Sequence, residues 1–585
     1  MDLRLKRVLK KIFLLLKSAT HSDPGIGASA FIALTLAAIC LITQQGFMDA
    51  SWRFDDGPHL SFVADYSPWQ YFFDPDVIRH QSWLHFTPWN ALFYEIGIQF
   101  WGLNVTGHYL HLITVIWLTS LATYALLRIW APIIPSAMGA ALYLAMPATG
   151  VVGKMLMTGH YAYGLLFSVL AVLFFSKGVI ENRRSLSMIS AIFYLLACTC
   201  KELYPPLIAV FLVFPVGRFK DRRPHLVWHV LVAFAYAVVR LIVFPSVESY
   251  ARAPLGGELA VLTLFKGLSE TLLGSGEIGI LFAALLLSSL VVSLWFSFKK
   301  LNFYFITATL AICAFPVVPM MKMGFTDPTT GRLLYLFSWC IAVSVPILLR
   351  HREQPIWARR MITICLALLV GLGTYSQHVT AARLDNSPLE AQYKFLSNGP
   401  ANIFLLPHQF GYVGYLESMR NAVSSIEHRT APTILRSEAD LSKVGRESSS
   451  RVFQWSEDCK CMTSMQVSYE AFLKNYEELL IAGREIQLTL RVEIESRGLR
   501  KILRWKFDAD KPSDFELHLI EYMKYGVPAS GEVPFGLDVT GPRNERLHFR
   551  VYAKSPNAWM ARSPVLSIIP STNSVVEWSG KSSPQ

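Results

Sequence analysis

The stretch Gly27-Ala-Ser-Ala-Phe-Ile-Ala-Leu-Thr-Leu-Ala-Ala-Ile-Cys-Leu-Ile-Thr43 decides the class of fold, because it is a long apolar run without a charged side chain. A helix of about 20 apolar residues spans the hydrocarbon core of a bilayer. The whole chain has the same bias, since 52% of its 585 residues are hydrophobic and 16% are charged. That composition is too apolar for a soluble domain of this size and indicates a membrane protein with many spans.

Further apolar runs follow the first one along the chain. Runs of roughly 17–25 residues are typical of membrane-crossing helices. Together they predict about eleven spans, at residues 27–43, 108–127, 136–152, 162–176, 186–200, 204–216, 226–244, 278–298, 303–320, 333–349 and 361–375. The expected fold is therefore mainly α, a polytopic membrane helical bundle.

The basic side chains fall in alternate loops, and this pattern predicts the orientation. Lys and Arg cluster in the N-terminal arm, residues 1–26, and in every second loop, whereas the loop after the first span is acidic. Cytoplasmic loops carry such an excess of positive charge. We therefore expect the arm in the cytoplasm and everything from residue 377 onward outside. A cleaved signal peptide is a weaker interpretation of the first run, because its small-residue cleavage pattern is unconvincing.

The net charge of +12 arises before residue 377, mostly in these short loops. This distribution favours the positive-inside pattern over a nucleic-acid surface. From residue 377 the charges nearly balance, and three stretches alternate apolar and polar side chains as half-buried strands do, at residues 486–494, 515–520 and 547–553. A helix-like region that includes residues 469–482 precedes them.

Three parts are therefore expected along the chain. The first is the cytoplasmic basic arm at residues 1–26. The second is a transmembrane module at residues 27–376, with a large first outer loop at residues 44–107. The third is an extracytoplasmic soluble domain at residues 377–585, which is β-rich or α+β.

The first outer loop carries the clearest functional signal, Phe54-Asp55-Asp56-Gly57-Pro58-His59-Leu60. An acidic pair beside a membrane is a functional hypothesis by default, because charge there is costly to hold. Asp-Asp-Gly-Pro is also good turn chemistry, so a solvated turn is the alternative. Aromatic residues beside prolines, as in His85-Phe-Thr-Pro-Trp89, predict short helices in the plane of the membrane interface.

Three more segments carry a resemblance to a known family together with that acidic stretch. They are Phe100-Trp-Gly-Leu-Asn-Val-Thr-Gly-His-Tyr-Leu-His-Leu112, Cys200-Lys201-Glu202 and Gly331-Arg332-Leu-Leu-Tyr335. Together with the layout of residues 1–375 they resemble the C-type (GT-C) membrane glycosyltransferase superfamily, which includes protein O-mannosyltransferases and lipid A aminoarabinose transferases. The resemblance implies a GT-C-like bundle, a bacterial inner membrane, a polyprenyl-phosphate sugar donor and a protein or glycolipid acceptor.

In that superfamily the acidic residue after the first span is the catalytic base. The resemblance therefore implies Asp55 as the base, with Asp56 orienting it or binding substrate, although the two could exchange roles. A carboxylate within reach of the acceptor can remove its proton, and a single base without a covalent partner predicts inversion. Two adjacent carboxyls in one low-dielectric cavity are expected to have split pKa values.

Basic residues at the outer ends of later spans are the candidates for binding the donor phosphate, namely Lys201, Arg240 and Arg332. Guanidinium and ammonium groups suit phosphate oxygens, although snorkelling to the membrane interface is the structural alternative for each. The expected substrate-binding residues are His59, His160, Glu202 and Tyr335. Histidines of the first loop are otherwise expected to be packing or interfacial residues.

No cofactor or metal is expected, although a divalent metal is possible in this superfamily. The loop at residues 148–163 lacks the acidic residue that some relatives use for a metal. Cys459-Lys-Cys461 has no partners at ligand spacing, which leaves a local disulfide or two free thiols. The expected partners are the donor, the acceptor and membrane lipids, without nucleic acid. The alternative function is a lipid-linked glycan flippase or transporter, a class that usually shows two related halves.

Overall fold

A computed structural model describes the chain over residues 26–82, 85–213, 216, 218–244, 281, 284, 285, 309, 328–348, 356–382, 388–408, 412–435, 444, 451–465, 487–497, 500–509, 517–524, 527–532, 537–538, 547–554, 559–562, 564–569 and 575–581. The predicted spans at residues 278–298 and 303–320 and the helix-like region at 469–482 lie outside these residues, apart from isolated positions.

Helices dominate the first part of the chain. In chain order they are α1 Ile26–Thr43, α2 Asp56–Asp65, α3 Pro68–Phe73, α4 Pro75–Gln81, α5 Pro88–Trp101, α6 Val105–Leu127, α7 Ile133–Ala145, α8 Pro147–Gly153, α9 Gly159–Ile180, α10 Arg184–Cys198, α11 Leu207–Val213, α12 Phe219–Val243, α13 Tyr335–Leu348, α14 Ile356–Ala382, α15 Pro388–Asn398 and α16 Val413–Glu427. The short helices α2, α3 and α4 and the longer α5 fall in the first outer loop, where the sequence predicts interfacial helices.

Three helices of the described residues are long and apolar enough to cross a membrane: Val105–Leu127, Leu156–Ile180 and Phe219–Val243. The last of these exposes large apolar side chains such as Phe234 and Ile242, which is the surface that a lipid environment accommodates. Shorter apolar helices lie at Gly27–Thr43, Arg184–Cys198, Gly331–Ser344 and Thr363–Val379. The chain is thus a helical membrane protein, and the number of eleven spans stays a prediction.

Two predicted spans differ from the structure in shape. The expected straight span at residues 136–152 is a pair of helices, α7 and α8, bent by 58°. The break falls at Pro147, the first residue of α8, because proline has no N–H to continue the preceding helix. In the expected span at residues 204–216, the first residues form turns and the helix α11 begins only at Leu207.

The chain divides into two compact units. The first, called here the helical unit, contains Met1–Ala50, Leu84–Phe93 and Thr106–Asp385. The second, called here the loop–tail unit, contains Ser51–Trp83, Tyr94–Val105 and Asn386–Gln585. Most of the first outer loop therefore belongs to the same unit as the C-terminal segment, while the predicted domain boundaries stay a prediction.

The C-terminal segment begins with helices and continues as strands. The strands are β1 Phe404–Leu405, β2 Thr433–Ile434, β3 Val452–Ser456, β4 Cys461–Ser464, β5 Gln487–Arg497, β6 Arg500–Ala509, β7 Leu517–Lys524, β8 Val527–Glu532, β9 Leu537–Asp538, β10 Leu547–Lys554, β11 Trp559–Arg562, β12 Leu566–Ile568 and β13 Val575–Lys581. The alternating stretches of the sequence correspond to β5, β7 and β10, so the prediction of a β-containing C-terminal region is confirmed.

These strands form three sheets. One has the order β2-β1-β3-β4, with β1 parallel to β2 and β3. A second has the order β11-β10-β7-β8, with β12 also pairing β10, and a third has the order β13-β5-β6-β9. Leu490 on β5 pairs with Phe507 on β6 and is fully buried, whereas its neighbour Thr489 is exposed. This alternation is the period of a strand with one buried face.

The two cysteines of the C-terminal segment, Cys459 and Cys461, form a disulfide. They lie at the tip of the β3–β4 hairpin, where Lys460 between them adopts a left-handed φ of 49°. The sequence left a local disulfide or two free thiols as alternatives, and the structure contains the disulfide.

Candidate functional site

The acidic pair lies on a tight turn at the start of α2, within the loop–tail unit. Phe54 immediately before it has φ of 49°, a left-handed conformation that costs a residue with a side chain about 1–2 kcal/mol. The turn is held by a bond from the Asp56 amide to the Arg53 carbonyl, 3.1 Å, and by the Tyr393 hydroxyl, which donates to the Phe54 carbonyl over 2.9 Å. Such strain persists only where the surroundings enforce it, and it is common at functional sites.

Asp56 is fully buried and its two oxygens are bonded inside the protein. The Arg53 amide donates to Oδ2 over 2.7 Å, and the Tyr94 hydroxyl donates to Oδ1 in a short bond. Burial raises the pKa of Asp56 to about 7, although both hydrogen bonds and the Arg53 charge favour the ionised form. Asp56 therefore stabilises the turn from within and is poorly placed to meet a substrate.

Asp55 is only half-buried, in contrast to Asp56. Burial and the Asp55 charge raise the pKa of Tyr415 to about 12, so this phenol is neutral at neutral pH. One turn further along α2, burial lowers the pKa of His59, against the raising effect of the Asp55 charge. Asp55 is thus a partly exposed carboxyl next to the buried side chains of Arg53 and Asp56.

The helices of the C-terminal segment complete this turn. Glu390 on α15 forms an ion pair of 3.5 Å with Arg53, and both side chains are buried. A Cβ at Gly57 would lie 2.7 Å from the Tyr415 carbonyl oxygen and 2.8 Å from the Tyr393 hydroxyl. Only glycine therefore lets α15 and α16 approach the turn this closely. We call Arg53, Phe54, Asp55, Asp56 and Gly57 the acidic turn.

Sequence analysis predicted Asp55, Asp56 and His59 here but missed Tyr94, Glu390, Tyr393 and Tyr415. The missed residues are distant from the acidic turn in the sequence. The apolar periodicity of their helices does not indicate which residues their polar side chains contact. The sequence also left open which aspartate is the base. In the structure the two differ in burial, since Asp56 is fully buried and Asp55 is only half-buried.

A second cluster of charged residues lies within the helical unit, and we call it the Glu202 cluster. The Glu202 carboxylate accepts from the His85 ring over 3.1 Å and from the Phe86 amide over 2.8 Å. Arg240 on α12 lies 3.6 Å from the same carboxylate, and the Lys201 ammonium lies over the Tyr161 ring at 5.8 Å. Arg240 therefore contacts a carboxylate, and it also donates to the Phe244 carbonyl over 3.1 Å, so its role in binding phosphate stays a prediction.

The protonation states of this cluster follow from its partners. Burial would raise the pKa of Glu202, but the His85 and Phe86 hydrogen bonds and the charges of His85 and Lys201 lower it to about 2. Burial and the Lys201 and Arg240 charges lower the pKa of His85, against the effect of Glu202. Lys201 and Arg240 together carry one more charge than the Glu202 carboxylate neutralises, and this positive excess suits an anion such as phosphate.

His85 is a residue that sequence analysis assigned to packing or the interface, whereas the structure places it on Glu202. The sequence around it, His85-Phe-Thr-Pro-Trp89, indicates interfacial aromatic residues and contains no sign of a carboxylate partner. Because the amide of Phe86 also binds Glu202, two consecutive residues of that motif hold one carboxylate.

The remaining predicted residues lie elsewhere in the helical unit. Arg332 is half-buried in the 3-10 turn Pro328–Leu334, just before α13. Tyr335 is fully buried, with its hydroxyl bonded to that of Tyr143. His160 is buried with its ring 4.6 Å from that of Tyr161, the ring beneath Lys201. Their contacts with substrate stay predictions. Within the described ranges, no group of three or more His, Cys, Asp or Glu side chains could hold a metal ion.

No protein-family model matches the sequence, and no curated protein matches it. Among solved structures, it is similar to the archaeal oligosaccharyltransferase AglB from Archaeoglobus fulgidus in complex with an inhibitory peptide and a dolichol-phosphate, with 14% identity, a TM-score of 0.41 and coverage of 69% of this chain and 64% of that chain. The apo form gives 12% identity with the same TM-score and coverage. The form tethered to an acceptor peptide gives 10% identity and a TM-score of 0.36 over 93% of this chain and 98% of that chain.

The chain thus spans 64% of the length of the first two of these structures. These TM-scores and identities are too low to establish a common fold or a common activity.

Proposed function

We propose that this membrane protein is an inverting glycosyltransferase, which takes a sugar from a polyprenyl-phosphate donor on the extracytoplasmic face and transfers it to a protein or glycolipid acceptor. One observation carries the proposal. In the acidic turn, the oxygens of Asp56 are bonded inside the protein, whereas Asp55 beside it is half-exposed. The strained turn therefore presents one carboxylate outward and uses the other to hold it there.

Asp55 acts as the general base in this proposal. The acceptor hydroxyl or amine attacks the anomeric carbon, a new bond to that carbon forms, and the bond from the carbon to the phosphate oxygen breaks. The acceptor proton passes to Asp55, and the polyprenyl phosphate leaves with the bonding electrons. A positioned base of this kind contributes about 10²–10⁴-fold to the rate. Retention would need a carboxylate nucleophile, and Asp56, whose oxygens are engaged, does not fit that role.

The leaving phosphate gains negative charge as the bond breaks, so cations must lie where it departs. Lys201 and Arg240 of the Glu202 cluster are proposed to supply them, with Arg332 as a third contributor. Glu202, which also bonds to His85, contacts Arg240, and the excess of positive charge remains for the phosphate. His59, His160 and Tyr335 are proposed to contact the substrate.

The proposed orientation follows from the positive-inside rule. The basic arm is proposed to be in the cytoplasm and the acidic turn and the C-terminal segment outside; a bacterial inner membrane is proposed from the sequence resemblance alone. The C-terminal segment then faces the compartment that holds the acceptor.

The test uses the full chain in lipid nanodiscs with a set of radiolabelled polyprenyl-phosphate sugars. We expect wild-type protein to release or transfer sugar, and Asp55→Asn to lose about 10²-fold or more of that rate while still binding the donor. Asp76→Asn is the matched control, because Asp76 is an exposed carboxylate of the same loop. Equal rates in wild type and Asp55→Asn would remove Asp55 from the chemistry.

A transporter of lipid-linked glycans is the second candidate, and the 58° bend between α7 and α8 favours it. Broken helices form substrate sites in many transporters. Proteoliposomes loaded with a fluorescent lipid-linked glycan separate the two functions. A transporter would move the lipid between leaflets without releasing sugar, whereas the proposed enzyme would release sugar in detergent, where no leaflets exist.

A further inference from the structure

Tyr393 on α15 connects the C-terminal segment to the backbone of the acidic turn. Its hydroxyl donates to the Phe54 carbonyl over 2.9 Å, although the two residues are 339 positions apart in the sequence. Both belong to the loop–tail unit, and the Tyr393 side chain is fully buried. The accepting carbonyl belongs to the peptide group that joins Phe54 to Asp55. Because a peptide group is planar, a bond to this oxygen fixes the plane from which Asp55 starts.

Phe54 adopts a conformation that needs such a contact. Its φ of 49° is left-handed, and a residue with a Cβ is destabilised there by an amount comparable with the contribution of one hydrogen bond. The Tyr393 hydroxyl can therefore decide whether Phe54 keeps this conformation. A return of Phe54 to an ordinary negative φ would change the direction of the chain at Asp55.

The position of the Tyr393 hydroxyl is fixed by the rest of α15. One turn earlier on this helix, Glu390 forms the buried ion pair of 3.5 Å with Arg53. On the other side of Asp55, a Cβ at Gly57 would lie 2.8 Å from the Tyr393 hydroxyl and 3.1 Å from its Cε1 atom. Helix α15 therefore contacts the acidic turn both before and after Asp55, and a hydroxyl held in this way is preorganised for the group it contacts.

Two backbone bonds hold other parts of the turn. The Asp56 amide donates to the Arg53 carbonyl over 3.1 Å, and the His59 amide donates to the Asp55 carbonyl over 3.0 Å. These bonds close the turn and begin α2, but neither of them involves the Phe54 carbonyl. The orientation of the peptide between Phe54 and Asp55 therefore depends on the bond from α15.

We propose that Tyr393 is a positioning residue of the transfer reaction, whose hydroxyl holds the peptide before Asp55 so that the Asp55 carboxyl faces the acceptor. This inference rests on the function proposed above. It assigns the C-terminal segment a part in the geometry of the base, in addition to any role in holding the acceptor. Asp55 remains the group that accepts the proton.

Tyr393→Phe removes one oxygen and keeps the ring that packs against the turn. The base is then present but misdirected, and displacement of a reacting group by about 1 Å can cost about 10²-fold in rate. We expect kcat to fall by about tenfold to 10²-fold. The KM for the donor should not change, because the donor phosphate is proposed to bind at the Glu202 cluster. Loss of stability alone would reduce the amount of folded protein and leave the kcat of each folded molecule unchanged.

Tyr71 provides the matched control. It is also a fully buried tyrosine of the loop–tail unit, and its hydroxyl also donates to a backbone carbonyl, that of Tyr66, over 2.8 Å. Tyr71→Phe therefore removes the same kind of bond at a place outside the acidic turn. It should leave both kcat and the donor KM unchanged, even if it lowers the unfolding midpoint.

Phe54→Gly tests whether the effect passes through the strained residue. Glycine adopts a left-handed φ as readily as a right-handed one, so residue 54 would need less help from the Tyr393 hydroxyl to keep its conformation. In the Phe54→Gly background, Tyr393→Phe should therefore lower kcat by a smaller factor than in the wild-type background. This double-mutant cycle isolates the coupling between the two positions.

The experiment measures kcat and the donor KM for sugar transfer by the full chain in nanodiscs. It compares wild type, Tyr393→Phe, Tyr71→Phe, Phe54→Gly and the double variant, with each kcat normalised to the folded fraction from thermal unfolding. If Tyr393→Phe does not fold, 4-aminophenylalanine at position 393 replaces it. The amino group is a weaker donor at the same place, so we expect a kcat below that of wild type with an unchanged donor KM, and a wild-type kcat would overturn the proposal.

The outcomes separate this inference from the function on which it rests. Absence of transfer by wild-type protein contradicts the proposed function. Transfer by wild type with an unchanged kcat in Tyr393→Phe, or with the same fall in Tyr71→Phe, overturns the role of Tyr393 and leaves the glycosyltransferase intact. An equal loss from Tyr393→Phe in the wild-type and Phe54→Gly backgrounds overturns it as well.

Discussion

The Tyr94 hydroxyl donates to the fully buried carboxylate of Asp56. This contact joins two helices of the first outer loop, α2 and α5, at the acidic turn. It explains how the two neighbouring aspartates come to differ, because Asp56 has protein partners on both oxygens while Asp55 is half-exposed.

Tyr94→Phe is expected to destabilise the protein. It leaves one oxygen of a buried carboxyl without its donor, which costs about 1–3 kcal/mol. The midpoint of thermal unfolding in nanodiscs should therefore fall. Tyr66 is a suitable comparison, since its hydroxyl bonds to the half-buried His80 ring elsewhere in the loop. A Tyr94→Phe midpoint no lower than that of Tyr66→Phe would show that the Asp56 contact contributes little.

The stability of the protein should depend on pH through Asp56. Its pKa is raised by burial from the model-compound value of 3.8 to about 7, so the folded state holds a proton that the unfolded state has lost between these values. Stability from this group is complete below about pH 4 and is lost as the pH rises through about 7, by at most about 1.4 kcal/mol per pH unit. Asp56→Asn should remove this part of the slope when unfolding midpoints are compared from pH 4 to 8. An unchanged slope would mean that Asp56 ionises normally.

Gly57→Ala should disrupt the acidic turn. The added methyl would meet the Tyr415 carbonyl and the Tyr393 hydroxyl at under 3 Å, and overpacking of this kind costs about 1–3 kcal/mol. We expect a lower unfolding midpoint and a loss of transfer. Gly371→Ala on α14 is the control, because a Cβ there meets nothing within 4 Å. Similar behaviour of the two variants would argue against a close approach at Gly57.

Lys201→Met should weaken donor binding. Removal of one charge-assisted contact to phosphate corresponds to about a ten- to hundredfold loss, measured as the Kd for a polyprenyl phosphate in nanodiscs. Arg183→Met removes a charge from an exposed side chain that pairs with Glu181, and it should leave the Kd unchanged. An unaffected Kd in Lys201→Met would move the phosphate site away from the Glu202 cluster.

Several features were predictable from the sequence for clear physical reasons. Long apolar runs identified the helices α6, α9 and α12, and period-two alternation identified the strands β5, β7 and β10. The acidic pair was visible because charge beside a membrane is costly. These signals are local, so a single sequence contains them.

Other features depend on contacts between distant residues and could not be predicted. Nothing near the acidic turn indicates that Tyr415 and Tyr393 will lie against it, and nothing near Glu202 indicates His85. The burial of Asp56 but not Asp55 depends on which carboxyl reaches Tyr94. The bend at Pro147 was within reach of the sequence, since proline interrupts a helix, but the apolar run around it concealed the break.

The rate of sugar transfer by wild type, Asp55→Asn and Asp56→Asn tests the assignment of the base most directly. The full chain in nanodiscs is supplied with a radiolabelled polyprenyl-phosphate sugar that it turns over, and donor binding is measured in parallel. We predict that Asp55→Asn loses about 10²-fold or more of the rate with donor binding retained, while Asp56→Asn, a neutral replacement of a buried carboxyl, loses less. A wild-type rate in Asp55→Asn would contradict its role as the base, and wild-type rates in both variants would remove the acidic turn from the chemistry.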